Sequence, residues 1–295
     1  MSDKKDYEVF RIPKKRKGEF RIIEAPSDEL KEKQRASLKT LSEYLYVSPF
    51  AHAFTGNKNI VTMARGHVAK PYILAFDISD FFPSITLKQM TEELDKNMSY
   101  RSRCPKVPKN KGKKAKEIKE IVYNELDLHF CDFGDDKGAR LPQGAPGSPF
   151  LSNAFMHNFD WFAAKKSYES KIKYSRYADD IVISGDDPDA MWRLFYHCMQ
   201  PYLNKIGLQI NKKKTKFMTA KHRQMVCGLV VNVKLNIPRR WRKRLRAELF
   251  QQKDNKGLRK DTKGRNAFMS MVYDKSYEHI CDSNEFLECQ KVLSV

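Results

Sequence analysis

Apolar positions change period along the chain, and each change marks an element. Residues 7–13 alternate, the basic stretch Lys14-Lys15-Arg16-Lys17-Gly18 interrupts, and residues 19–25 resume the pattern. A glycine in the turn and a proline after each run predict a hairpin. Leu30, Leu38, Leu41 and Leu45 recur at helical spacing, which predicts a helix over 30–45. Residues 49–65 carry no period and read as loop around Gly56-Asn57-Lys58-Asn59. The short apolar run Tyr72–Phe76 predicts a buried strand that ends at Asp77. Helices follow over 86–94, with Asp80 a candidate cap, over 118–130, and over 150–168, opened by Ser148 and Pro149. Leu151, Ala154, Phe155, Phe159 and Phe162 give that last helix a core face, and His157 on it reads as structural. Two β-prone runs, Tyr174–Tyr177 and Ile181–Ile183, flank Asp179 and Asp180 and predict a hairpin with the acids at its tip. An amphipathic helix over 188–206, strands over 216–219 and 225–233, and a basic helix over 239–251 complete the pattern, with weaker helical segments reaching Val295. Helices and antiparallel strands in this order predict an α+β fold, a small sheet backed by helices.

Adjacent aspartates repel each other, so Asp179-Asp180 costs stability unless a cation sits between them. An acidic surface turn is the simpler reading of such a pair. Asp77, at the carboxyl end of another strand, changes the balance. If the two strands are neighbours, three carboxylates converge on one spot. Hard divalent ions such as Mg²⁺ take oxygen ligands of this kind. Two such ions ~3.5–4 Å apart serve in-line phosphoryl transfer. Between these acids the segment Gly138–Pro149 is rich in glycine and proline, which lets backbone approach a ligand along a stiff path.

Charge says what such a site would meet. The 295 residues are 41% hydrophobic and 12% aromatic, a globular composition, yet they carry a net charge of +20 with a pI near 9.6. Such a surplus favours polyanionic partners, and nucleic acid first among them, because each neutralised phosphate releases counterions. An anionic membrane surface is the competitor, but no apolar run approaches the ~20 residues of a membrane span. No apolar segment follows Met1, so no signal peptide is expected. Cys104, Cys131, Cys198, Cys227, Cys281 and Cys289 form no Cys-x-x-Cys pair and read as reduced thiols of a cytoplasmic protein. Residues 101–119 are dense in Lys and Arg and read as an exposed basic insertion, either contacting phosphates or solubilising the chain. The basic hairpin at 14–18 can close on a triphosphate with Arg21 as its best-placed ligand, or be a solvated turn.

Taken in series, four stretches resemble the reverse transcriptases. They are Phe76-Asp-Ile-Ser-Asp-Phe-Phe-Pro83, Leu141-Pro-Gln-Gly-Ala-Pro-Gly-Ser-Pro149, Tyr177-Ala-Asp-Asp180 and Gly207-Leu-Gln-Ile-Asn-Lys-Lys-Lys-Thr215. They fall in the family's order over roughly residues 7–235. The length and the Gln-Gly-Ala-Pro form resemble bacterial retron enzymes. Two retron elements are present with one change each: Asn-Ala-x-x-His reads Met63-Ala-Arg-Gly-His67, and Val-Thr-Gly reads Val226-Cys-Gly228.

The resemblance implies a right-hand polymerase. Its fingers would span 1–75, its palm 76–238 (with the basic insertion 101–119 and a fingers–palm segment to 149), and its helical thumb 239–295. It implies Asp77, Asp179, Asp180 and the Ile78 backbone carbonyl as ligands of two Mg²⁺, with Mn²⁺ a possible substitute. Phe82 would exclude a ribose 2′-hydroxyl and so select dNTPs. Gln143 and Gly144 would line nucleotide and template, Arg21 would grip phosphate, and Lys214 would protonate the leaving pyrophosphate. One more charge in a lysine run is the plainer account of Lys214. The retron likeness implies a structured noncoding RNA as template and primer, priming from an RNA 2′-hydroxyl, a short RNA–DNA hybrid product, and antiphage defence with a separate effector protein. Competing readings are another defence-associated or group II intron-like reverse transcriptase, an RNA polymerase, which Phe82 disfavours, and an RNA-binding protein that kept the fold without catalysis.

Overall fold

Strands β1 (Tyr7–Pro13) and β2 (Phe20–Pro26) pair as an antiparallel hairpin in the computed structural model, which describes residues 2–14, 18–101, 115–136, 138–251 and 259–274. The tip of the basic turn, most of the basic insertion 101–119 and the final segment to Val295 lie outside the described residues. Helix α1 (Asp28–Tyr44) starts where the Ser27 hydroxyl accepts from the Leu30 amide.

The expected loop over 49–65 contains a helix, α2 (Ile60–Arg65). At six residues it is too short to show a period, and its start is local chemistry. Asn59 Oδ1 accepts from the Val61 and Thr62 amides while Thr62 Oγ1 accepts from the Asn59 amide. Asp80 does not cap a helix by its side chain. It sits at φ +44°, its carbonyl accepts from the Ser84 amide, and a 3₁₀ turn Phe82–Ser84 follows. Helix α3 (Leu87–Arg101) begins later, with Gln89 Oε1 accepting from the Thr86 amide.

After α4 (Ala115–Leu126), the helix expected from Ser148 onward breaks at Met156 into α5 (Ser148–Phe155) and α6 (His157–Glu169). The amphipathic segment 188–206 is α7 (Pro188–Leu194), a π-helical turn Phe195–Met199, and α8 (Gln200–Lys205). The single strand expected over 225–233 is instead a minimal hairpin, β7 (Met225–Val226) and β8 (Leu229–Val230), because Cys227 and Gly228 both take positive φ. Helices α9 (Arg239–Gln251) and α10 (Lys260–Tyr273) pack together through Trp241 and Phe268.

The central sheet is antiparallel, in the order β4 (Lys173–Tyr177), β5 (Asp180–Gly185), β3 (Tyr72–Asp77), β6 (Lys216–Thr219). Successive strand residues point to opposite faces. Leu74 and Phe76 of β3, with Ile181 and Ile183 of β5, enter a large core filled from α3 to α8. Ile73 and Val182 point the other way, into a second core with α2, the β7–β8 hairpin, Ile237 and Val272 of α10. Each face of the sheet is thus apolar for most of its length.

Candidate active site

Strand parity decides where the acids go. With Leu74 and Phe76 in the helical core, Ile73, Ala75 and Asp77 fall on the opposite face. Asp77 lies directly across from Asp180, so Asp180 shares that face with Val182 and Ser184. Tyr177 pairs with Asp180, which leaves Ala178 and Asp179 as a two-residue hairpin loop. The Ile78 amide donates to the Asp179 carbonyl at 3.1 Å and draws the loop against the end of β3. The three aspartates are thereby brought together from two strands and the loop beside them.

Their mutual repulsion is visible in their acidity. Burial, then the charges of Asp77 and Asp180, push the Asp179 carboxyl up to about 6. Asp180 is raised too, by burial and by Asp77, while Lys214 and Lys216 pull it back. Lys216 faces Ala75 across β3–β6 and so stands on the acid face. Lys214 Nζ donates to both oxygens of Asp77, at 2.8 and 3.0 Å. Its turn is fixed by the Asn211 amide, which donates to the Asp77 carbonyl at 2.8 Å. Burial alone would lower the Lys214 ammonium, but its bond to Asp77 and the charge of all three acids hold it above its ordinary value. Among the described residues, no three or more His, Cys, Asp or Glu side chains close around one point as a ready metal cage. Lys214 instead occupies the Asp77 oxygens. The oxygen-only donor set still suits a hard divalent ion, and the raised pKa values of Asp179 and Asp180 mark carboxylates whose ionised form lacks a counter-charge.

Other groups press on the acids. The Cys227 thiol is pushed up to about 12 by burial and then by Asp180 and Asp179, which places the β7–β8 turn beside them. Farther along the acid face, His67 is buried against β4 and β5, with Nε2 2.6 Å from Ser175 Oγ and Nδ1 2.7 Å from Ser184 Oγ. Burial, then Lys173 and Lys70, lower its pKa to about 3, so it is neutral and accepts at one ring nitrogen. A conspicuous histidine in the sequence is therefore a cross-strand clamp on the acid face of the sheet.

The β1–β2 hairpin is fastened to the Gly/Pro segment. Arg140 donates to Glu24 Oε1 at 2.8 Å, and the Gln143 amide donates to Glu24 Oε2 at 3.0 Å. The Glu24 amide returns a bond to the Gln143 carbonyl at 2.9 Å. Gly144, at φ +138°, brings its backbone so close that an added Cβ would stand 3.0 Å from Ile23 and 3.1 Å from the Glu24 carbonyl. Gly147 leaves no room either, since a Cβ there would fall 2.0 Å from His129 Nδ1. Glu24 and Arg140 had no sequence signal beyond being charges. Their burial on both sides is what sets them apart.

Phe82 lies half-buried on the 3₁₀ turn, five residues past Asp77, with its ring 5.5 Å from Phe81. Arg21 is exposed on β2 opposite Ile12, and among the described residues it has no hydrogen bond or ion pair to the three acids.

A family profile described as reverse transcriptase (RNA-dependent DNA polymerase) matches residues 12–253. The chain belongs to the reverse transcriptase family. Among its curated relatives are retron enzymes. The Mx65 retron reverse transcriptase of Myxococcus xanthus is 32% identical over 283 residues, which cover 93% of this chain and 63% of that one. The Ec83 and Ec86 retron reverse transcriptases of Escherichia coli are each 29% identical, covering 85% and 82% of this chain and 77% and 69% of their own lengths. The chain thus spans less than two thirds of the Mx65 enzyme and 58% of the Mx162 enzyme of Myxococcus xanthus. Among solved structures, apo telomerase from Candida tropicalis aligns with a TM-score of 0.51 over 78% of this chain and 48% of that one, at 13% identity. Telomerase from Candida albicans, in complex with a fragment of telomeric RNA, aligns with the same score over 93% of this chain and 55% of that one, at 12% identity. At such identity the likeness shows the fold alone, a reverse transcriptase palm with its neighbouring helices. No helix among the described residues is long and apolar enough to cross a membrane.

Proposed function

We propose that the chain is the polymerase of a retron, copying a structured noncoding RNA into a short DNA from dNTPs. The observation that carries this reading is the convergence of Asp77, Asp179 and Asp180 on one open sheet face, inside a reverse transcriptase fold. The oxygen donors fit a pair of Mg²⁺ ions, with Mn²⁺ as substitute, held by the three carboxylates and the Ile78 carbonyl. When bound, these ions supply nucleophile activation and charge neutralisation.

The chain's own groups do the rest. Asp77 and Asp180 face each other across the strand pair, so their spacing is set by backbone pairing rather than by flexible loops. Lys214, held on Asp77 and kept protonated, is poised to move onto the departing pyrophosphate and give it a proton. Phe82 stands beside the sugar and excludes ribonucleotides. Gln143 and Gly144, whose backbone is pinned to Glu24, carry the templating nucleotide. Arg21 approaches the triphosphate from the hairpin. Fingers over 1–75, palm over 76–238 and thumb over 239–295 are the divisions that match these roles.

The net charge of +20 supports an RNA template–primer and an RNA–DNA hybrid as partners. Priming from an RNA 2′-hydroxyl, a separate effector protein, antiphage action and a cytoplasmic location extend the same reading as what the resemblance to retron enzymes implies. Cys131, Cys198 and Cys227 are free thiols, which agrees with a reducing compartment. The test is dNTP incorporation on the RNA that copurifies with the protein. DNA synthesis that needs Mg²⁺ and is lost in Asp179→Asn, with RNA still bound, is expected. Equal incorporation by that variant would refute the reading.

A further inference from the structure

The loop that presents Asp179 is under backbone tension. Ala178 takes φ +54°, a left-handed geometry that favours glycine and crowds a residue with a Cβ. Both carbonyls of the two-residue loop are nevertheless held. The Asp179 carbonyl is taken by the Ile78 amide. The Ala178 carbonyl is taken by Arg176 Nη1 at 3.0 Å.

Arg176 is an unusual group to find there. It is the largest fully buried side chain among the described residues, and its partner Asp160, on α6, is fully buried as well. Nε and Nη2 of Arg176 donate to the two oxygens of Asp160 at 2.8 and 2.7 Å, and the Tyr174 hydroxyl donates to the same carboxylate at 2.6 Å. The Arg176 backbone is fixed in turn, its amide donating to the Phe50 carbonyl at 3.0 Å and its carbonyl accepting from the His52 amide at 2.8 Å. A buried pair of this kind is weak evidence for stability, since desolvating both ions offsets most of their attraction. What this pair has beyond its own attraction is a free guanidinium arm that ends on the strained residue.

We infer that Arg176 is a positioning residue: braced by Asp160 and Tyr174, it holds Ala178 in its left-handed turn and so aims the Asp179 carboxylate at the metal pair. This rests on the polymerase reading above for its consequence, though not for its geometry. Arg176 touches neither substrate nor metal. It acts through one backbone carbonyl.

The test is Arg176→Lys, which keeps the charge but cannot reach Asp160 and Ala178 together. Mn²⁺ binding, followed by water-proton relaxation, is expected to weaken about tenfold, and kcat for dNTP incorporation to fall about 10²-fold with KM for dNTP nearly unchanged. Ala178→Gly placed in the R176K background is expected to recover most of both losses, because glycine adopts the turn without the brace. A residue that merely filled the core would not be rescued this way. If R176K lacks a cooperative melting transition, Asp160→Asn, which loosens the brace but keeps the shape, takes its place with the same expected rescue. Mn²⁺ affinity unchanged in the impaired variant, or no recovery on adding Ala178→Gly, overturns the inference. A wild-type protein that binds Mn²⁺ without incorporating dNTPs would sink the polymerase reading, while the Mn²⁺ comparison would still decide the role of Arg176.

Discussion

The two faces of the central sheet use the same strands for opposite ends. On one, Leu74, Phe76, Ile181 and Ile183 are sealed under helices, and the charges they share it with, Arg176 of β4 and Asp160 of α6, are paired with each other. On the other, Ile73 and Val182 begin an apolar layer that gives way, at the end of β3 and the start of β5, to Asp77, Asp180 and Lys216. The first face has every reason to fold. The second gathers like charges and a left-handed alanine, and is held by groups that reach it from elsewhere: His67 between two serines, Lys214 on a carboxylate, and Arg176, which comes from the helical face of β4 to a carbonyl. The difference shows that the helical face supplies stability which the acid face spends on geometry.

Substitutions should therefore separate the two faces by readout. The largest effect belongs to Asp179→Asn, with incorporation falling by at least roughly 10³-fold, the scale of losing one key charge-bearing group. RNA binding and folding should be intact. A loss of folding instead would erase the contrast between the faces. Next is Phe76→Ala on the helical face. Phe76 is almost fully buried and meets Phe195 edge-on at 4.9 Å, so chemical denaturation should show a loss of roughly 3–5 kcal/mol. If Phe76→Ala unfolds no more easily than the wild type, the division of labour fails. Lys214→Ala should lower kcat about 10²-fold, and more at high pH, where a proton donor is scarcest. A uniform loss at every pH would reduce Lys214 to a counter-charge for Asp77.

The smallest effect is also the most diagnostic of crowding. The Asp179 carboxyl is near 6 in the folded protein and about 3.9 in an unfolded chain. Its charge thus opposes folding above pH 6 and is relieved as pH falls towards 4. Without divalent ions, Asp179→Asn should be more stable than wild type by roughly 1 kcal/mol at pH 7.5, solvent screening included, and the gap should close by pH 4. His67 runs the other way. Its pKa, lowered to about 3 by burial, makes stability fall as pH drops below the ordinary histidine range, so only the difference between wild type and variant isolates Asp179. A gap that widens towards pH 4 would mean that the acids do not repel.

Much of this was legible before any coordinates. The runs Tyr72–Phe76 and Tyr174–Ile183 announce their strands, and the acids at their ends announce the site. The motifs around them led to the family. Short elements were not legible. Six residues of α2 start from an Asn59–Thr62 box rather than a periodic face, and β7–β8 folds back on Cys227-Gly228 inside what reads as one apolar run. Long-range charge pairs were hidden for another reason. Glu24 and Arg140, or Asp160 and Arg176, look like ordinary solvated charges until the fold buries them. No local pattern distinguishes a charge whose partner lies 116 residues away.

The direct pairing of Asp77 with Asp180 also sets which length changes this chain can absorb. One residue inserted or deleted inside Tyr72–Phe76 would exchange the two faces along the whole strand, turning a carboxylate into the helical core and Leu74 and Phe76 out of it. Insertions between elements carry no such toll. Homologues that differ in size should therefore vary in their connections while the spacing inside β3 stays constant, and an engineered tag or loop graft belongs anywhere but there.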